Sequence, residues 1–373
     1  MKKKVLTILG TRPEIIRLSC ILRALDKNFD HDIVNTNQNF SKNLNSNFFK
    51  DLEIRRPKYL MKNISTKNPI EFISKALLYF DKILDKNKPD AVLILGDTNS
   101  SLLTICAKRR KIPIFHLEAG NRCFDQRVPE EINRKIVDHI SDVNLTYSTY
   151  AENNLLREGL SRDFVIKVGS PLKEVYEYYN HKVEKCTIIK KLQLNKTKYI
   201  VASIHREENL ENDKTLENIL NSINFFSKKK KLRVIFSTHP RTLEKLKNKK
   251  NKFKNIEFYK SFGFIDYLKL LKSSALVISD SGSITEETSI LKLRSINLRT
   301  THERQEGMEK GICILSGVEQ KEILQSLETT LAKNISKYDL KFNDYHEENV
   351  SHKIVNIIQS YTPYINKKIW SKN

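Results

Sequence analysis

Short apolar runs alternate with segments of helical period along almost the whole chain, and no other feature restricts the fold as much. Runs at 5–9, 31–35, 91–95, 113–117 and 143–146 read as strands. Helical patterns at 13–25, 41–50, 70–86, 99–110, 130–140 and 149–158 lie between and after them. Strands separated by ~10–15-residue helices need crossover connections, so this order predicts βαβ units and a parallel sheet. The alternation weakens into a polar, charged stretch over 169–198. It then restarts with strands expected at 199–203, 234–237, 256–259, 275–279 and 295–298, and helices at 213–228, 318–333 and 346–360. A chain of 373 residues exceeds the usual size of one hydrophobic core. The expectation is two α/β domains, 1–170 and 171–355, with a terminal segment 356–373 placed to pack back on the first.

Composition removes several function classes. The net charge of +22 invites a nucleic-acid reading, but the lysines lie in scattered runs such as 228–231 and 245–254, mixed with Asn and Ile. Solvated helix ends account for that pattern, and nucleic acid is not expected as a partner. The apolar run after Met1-Lys2-Lys3-Lys4 is too short for a targeting signal, and no stretch approaches the ~18–20 residues of a membrane span. The five cysteines are odd in number and have no C-x-x-C spacing, which points to a reduced, cytoplasmic chain without a disulfide framework. Cys123 reads as a packed thiol. His205, His239 and His302 lack ligand spacing, so no metal is expected.

In parallel sheets ligands bind beyond the carboxyl ends of the strands, so the residues just past each strand matter most. The first half offers Gly10-Thr11-Arg12-Pro13-Glu14, Gly96-Asp97-Thr98-Asn99, Glu118-Ala119-Gly120-Asn121-Arg122 and Pro129-Glu130-Glu131. The second half offers Ser203-Ile204-His205-Arg206-Glu207, Thr238-His239-Pro240-Arg241 and Asp280-Ser281-Gly282-Ser283, with Glu286-Glu287 behind them. One charged residue at such a place is usually a helix cap. Polar residues after at least six strands, in both halves, point to a site. The N–H groups and hydroxyls of Ser281, Gly282 and Ser283 can hold a pyrophosphate, although an Asp-Ser-Gly cap fits equally well. Glu287 can accept ribose hydroxyls from the helix behind that turn. There is no G-x-G-x-x-G and no G-x-x-x-x-G-K-[ST], which argues against NAD as a diffusible substrate and against a P-loop ATPase.

Taken in order over roughly 4–315, these motifs resemble the non-hydrolysing UDP-N-acetylglucosamine 2-epimerase family. The matching set also includes His116-Leu117-Glu118-Ala119-Gly120, Pro129-Glu130-Glu131-Ile132-Asn133-Arg134 and Glu303-Arg304. The resemblance implies a GT-B-like fold, two Rossmann-like domains with parallel sheets facing a central cleft, and a homodimer. It implies a UDP-sugar substrate with no cofactor, and epimerisation at C2 through loss of UDP, a glycal, and re-addition. The wording of 118–131 is closer to the capsule and O-antigen branch that converts UDP-2-acetamido-2,6-dideoxy-L-talose to UDP-N-acetyl-L-fucosamine.

Carried onto this chain, the resemblance puts Asp97, Glu118 and Glu130 around C2. Arg12, His205 and the turn Ser281-Gly282-Ser283 fall on the phosphates, with His205 also counted among the catalytic groups, and Glu287 falls on the ribose. Arg17, Arg134, Arg206, His239 and Arg304 complete the substrate contacts, and Phe264 either packs on uracil or fills the core. Three departures stand out: Arg17 where the family commonly has Lys, Ser283 where it has Gly, and Gln305 where it has Pro. A UDP-N-acetylglucosamine 2-epimerase, a hydrolysing 2-epimerase and a GT-B glycosyltransferase remain alternatives on the sequence alone.

Overall fold

The computed structural model describes all residues except 1, 39–48, 63, 65–67, 196, 247–249, 335–339 and 373. Most of the helix expected over 41–50 therefore lies outside the described residues. The chain forms two compact units. One comprises Met1–Tyr178 with Asn343–Asn373, the other Tyr179–Phe342.

The first unit is built on seven strands: β1 (Lys4–Leu9), β2 (Asp30–Asn35), β3 (Tyr59–Leu60), β4 (Ala91–Leu95), β5 (Ile114–Ala119), β6 (Val143–Thr146) and β7 (Val165–Lys167). They lie in the order β3-β2-β1-β4-β5-β6-β7, and every pairing is parallel. The second unit has β8 (Tyr199–Ser203), β9 (Arg233–Thr238), β10 (Ile256–Lys260), β11 (Leu276–Ser279), β12 (Ser295–Asn297) and β13 (Ile314–Leu315). Their order is β10-β9-β8-β11-β12-β13, again all parallel. Both units are thus Rossmann-like α/β sheets whose strand order reverses at the first strand.

The apolar runs are central strands because both faces of a doubly covered parallel sheet are buried. Val5, Leu6, Ile8 and Leu9 of β1 and Ala91 to Ile94 of β4 are all fully buried. The helix Arg12–Asn28 starts at the N-cap Thr11 and buries Ile15, Leu18, Ile21, Leu22 and Leu25, a stripe of helical period. No helix among the described residues is long and apolar enough to cross a membrane.

The domain boundaries differ from the expected 170/171 and 355/356. The helix Leu172–Lys185 runs through the first division, and its first turn belongs to the first unit, where Glu174 accepts from Ser351 N at 2.9 Å. The return begins at Asn343. There the buried Asp344 accepts from Thr149 N at 2.9 Å and from Lys167 Nζ at 2.8 Å. These anchors are polar and leave no periodic signal. The closing helix Val350–Lys368 then packs on Arg12–Asn28.

Candidate active site

In each sheet the strand order reverses between two neighbours, β1 and β4 in the first unit and β8 and β11 in the second. The loops leaving such a pair diverge to opposite faces and open a crevice. The motifs after those four strands, with the one after β5, are where the chain has spent its polar residues.

In the first unit Glu14, almost fully buried, joins two of these loops. Its Oε2 accepts from Gly10 N at 2.6 Å and Thr11 N at 3.0 Å, and its Oε1 accepts from Thr98 Oγ1 at 2.8 Å. The turn delivering Arg12 is thereby tied to the turn delivering Asp97. Burial pushes the Glu14 carboxyl up from 4.5 to about 7, outweighing the donors that favour the anion. A carboxyl that holds its proton more tightly folded than unfolded contributes stability below about pH 4.5. That contribution is lost as pH rises through about 7. The change is on the order of 3 kcal/mol. Glu14→Gln keeps an oxygen for both N–H groups and an amide N–H for Thr98, so its urea stability is expected to be flat across that window. An unchanged slope would place the titration elsewhere.

Asp97 follows β4 and lies half-buried. Arg134, from the helix Pro129–Ile140, donates to Asp97 Oδ2 from Nε at 2.9 Å, and its NH2 lies 2.7 Å from the same oxygen. Arg134 also donates to Glu131 Oε2 at 2.9 Å. Glu131 in turn accepts from Cys123 N at 3.0 Å and Phe124 N at 3.2 Å, fixing the loop after β5. The residue tied to Asp97 through Arg134 is therefore Glu131. Glu130, the carboxylate that the sequence points to, lies half-buried on the same first turn, and the structure does not place it in this network.

Glu118 interrupts β5. The register slips between Leu117 and Ala119, and Glu118 takes φ +70°, a left-handed conformation rare for a non-glycine residue. A carbon built on Gly96 would lie 3.7 Å from Glu118 Oε2, so this carboxylate stands over the Gly96 turn, beside Asp97. Arg12 opens its helix partly buried, and burial lowers the proton affinity of its guanidinium. Arg17 is buried with its guanidinium 5.6 Å from the Tyr147 ring centroid, where cation–π attraction holds it.

In the second unit Asp280 is fully buried and organises the loops after β8 and β11. It accepts from His205 N at 3.0 Å, Arg206 N at 2.8 Å and Asn209 Nδ2 at 3.1 Å, and it lies 3.1 Å from His205 Nδ1. Burial alone would raise its carboxyl; the charge and hydrogen bond of His205, with the Arg206 N–H and Asn209, hold it below the usual range. With Nδ1 facing Asp280, His205 keeps Nε2 for a ligand. The His239 ring sits 5.9 Å from the His205 ring, and its Nδ1 accepts from Arg241 N at 3.4 Å.

The turn Ser281-Gly282-Ser283 leads into the helix Ile284–Leu291. Ser283 Oγ donates to Glu287 Oε1 at 2.8 Å, so the serine standing for the family's glycine orients the expected ribose acceptor. An added carbon at Gly282 would overlap Glu303 Oε1, so any larger residue there makes that carboxylate shift. Glu303 accepts from Arg299 NH1 at 2.7 Å and lies 3.7 Å from Arg206. Arg304 is buried and donates to the buried Glu286 at 2.7 Å. It braces the helix behind the turn. Phe264 is buried edge-on to Tyr179, with centroids 5.5 Å apart.

The sequence alone assigns no role to Glu14, Glu131 or Asp280. Glu14 carries one signal, its place three residues after Thr11 in a capping box, and Asp280 directly follows an apolar run.

The sequence model described as UDP-N-acetylglucosamine 2-epimerase matches residues 23–359. A curated UDP-N-acetylglucosamine 2-epimerase of Methanocaldococcus jannaschii is 38% identical, covering 88% of this chain and 93% of its own. A solved UDP-N-acetylglucosamine 2-epimerase from Rickettsia bellii superposes with a TM-score of 0.92 at 44% identity, covering 100% of both chains. A Methanocaldococcus jannaschii structure in complex with UDP-GlcNAc and UDP gives 0.89 at 36% identity, covering 95% of this chain and 99% of that one. The chain belongs to the UDP-N-acetylglucosamine 2-epimerase family of carbohydrate epimerases.

Proposed function

We propose that this enzyme inverts C2 of a UDP-linked N-acetylated sugar by eliminating UDP and adding it back. The C2 proton lies beside an acetamido group and is not acidic, so direct deprotonation is slow. Breaking the C1–O bond as the proton leaves gives a glycal and UDP, and protonation on the opposite face with return of UDP gives the epimer. The chemistry asks for carboxylates to move the proton and for cations and N–H groups to take up charge on the departing pyrophosphate.

One observation carries this reading. The first unit gathers Asp97 and the strained Glu118 at its switch point, while the second gathers His205, Arg206 and the Ser281–Ser283 turn at its own. The first set is assigned to the sugar and the second to UDP, with Glu287 on the ribose. A glycosyltransferase needs the second set but not two carboxylates in the first.

For the sugar, the wording of 118–131 favours UDP-2-acetamido-2,6-dideoxy-L-talose going to UDP-N-acetyl-L-fucosamine, as used in capsule and O-antigen synthesis. A second reading, UDP-N-acetylglucosamine, is favoured by the names of the relatives. Proton NMR in D2O, with UDP-N-acetyl-L-fucosamine and UDP-N-acetylglucosamine offered separately, decides between them. Deuterium is expected at C2 of the fucosamine sugar as its epimer forms; exchange confined to UDP-N-acetylglucosamine selects the second reading. Exchange in neither, with UDP bound, would sink the epimerase proposal and bring the glycosyltransferase forward. The homodimer and cytoplasmic location implied by the resemblance belong to the same proposal. Sedimentation is expected to give twice the 43.6 kDa of one chain.

Gly282→Ala is expected to raise the Kd for UDP about tenfold, or about 1.4 kcal/mol, because Glu303 must give way inside a buried ion pair. Calorimetry showing an unchanged Kd would remove the 281–283 turn from the nucleotide site.

A further inference from the structure

Behind the carboxylates of the first unit lies a fully buried polar group that the proposed chemistry does not use. Asp138, on the inner face of the helix Pro129–Ile140, is 0% exposed, as are His116 and Arg122. Its carboxylate accepts from Gly120 N at 3.2 Å and from Arg122 NH1 at 2.6 Å, and it lies 2.8 Å from His116 Nδ1. The other His116 nitrogen, Nε2, is 2.9 Å from the Gly96 carbonyl oxygen. Arg122 also donates to both oxygens of Glu158, at 2.7 and 2.6 Å. Burying this many ionisable groups is costly unless each finds partners, and a chain gains little stability from such a cluster compared with an apolar core. Its use is better sought in what it fixes.

It fixes the backbone on both sides of the carboxylates. Gly96, immediately before Asp97, has φ +77°; Glu118 has φ +70°; Gly120 has φ +82°. The two glycines take these angles without strain, but Glu118 does not, and a left-handed non-glycine residue persists only where the surroundings over-determine it. His116 grips the carbonyl of the first turn, Asp138 grips the N–H of the last, and the two side chains meet. Arg122 extends the grip into the loop that Glu131 holds through Cys123 N and Phe124 N.

We propose that Asp138 and His116 are positioning residues for the epimerisation, a buried clamp that sets the backbone on which Asp97 and Glu118 stand. The inference rests on the proposed C2 chemistry, and wild-type turnover tests that chemistry separately. Asp138→Asn removes the charge that Arg122 and His116 face. His116→Asn keeps a donor near Asp138 but gives up Gly96, while His116→Gln keeps a donor near Gly96 but gives up Asp138. In folded enzyme at saturating substrate, Asp138→Asn and His116→Asn are each expected to lower kcat by about 100-fold. KM and the Kd for UDP should stay within about threefold, since His205, the Ser281–Ser283 turn and Glu287, which are assigned to UDP, belong to the other unit. His116→Gln should fall between these and wild type. A merely structural role would lower the melting temperature while leaving kcat of the folded fraction near wild type, and that result overturns the clamp. So would a loss confined to KM. Should Asp138→Asn fail to fold, the two His116 variants decide alone. Wild type without epimerase activity would overturn the underlying reading instead.

Discussion

Glu118→Gln is expected to lower the epimerisation rate by about 10³-fold or more while leaving the fold and UDP affinity intact. A positioned acid or base commonly contributes 10²–10⁴-fold, and this carboxylate has the marks of one. It occupies a left-handed position where β5 slips register, a conformation that costs roughly 1–3 kcal/mol without a glycine. A residue held there at that cost points its side chain where a relaxed strand could not. Its oxygen stands over the Gly96 turn beside Asp97, so two carboxylates share one small region with Arg134 on Asp97. Glutamine preserves shape and removes only the proton-transfer function. A variant that epimerises at the wild-type rate would remove Glu118 from the chemistry.

Asp280→Ala is expected to be as damaging in the second unit, through binding. Asp280 is fully buried and gathers the His205 and Arg206 N–H groups, the Asn209 amide and the His205 ring. Removing it leaves those donors unmatched and lets His205 turn away from the orientation that frees Nε2. Breaking a buried charged network from one side costs about 3–5 kcal/mol, and the Kd for UDP is expected to rise at least 100-fold by calorimetry. Asp280→Asn, which keeps the acceptor oxygen but loses the charge, should be milder. If the alanine variant binds UDP as wild type does, His205 and the Asp280 turn are not the nucleotide site.

The long alternating pattern makes both sheets legible in the sequence, because buried parallel strands must be apolar on both faces and their helices must be one-sided. The edge strands β3, β7 and β13 escape that reading, since two or three residues are too short to carry a period. The domain boundary escapes for a related reason: the chain returns to the first unit at Asn343 through polar anchors on Asp344, not through an apolar repeat.

At the site, strand ends single out loops, but sequence order cannot say which neighbouring residue turns inward. Glu130 and Glu131 are adjacent, and helix geometry alone sends Glu131 to Arg134. Sequence order likewise gives no sign that Arg304 pairs with the buried Glu286 or that Phe264 packs on Tyr179. Asp138 gives no signal at all, since a single Asp inside an amphipathic helix reads like many others.

The central claim is that the C1–O bond to UDP breaks and re-forms during each inversion. Positional isotope exchange tests it most directly, using a UDP-sugar that carries ¹⁸O in the bridge between C1 and the β-phosphate. The account predicts that recovered sugar nucleotide shows the label spread into non-bridging β-phosphate positions, at a rate comparable to C2 deuterium uptake. Epimer forming with the label still wholly in the bridge would show inversion without loss of UDP, and would contradict the account.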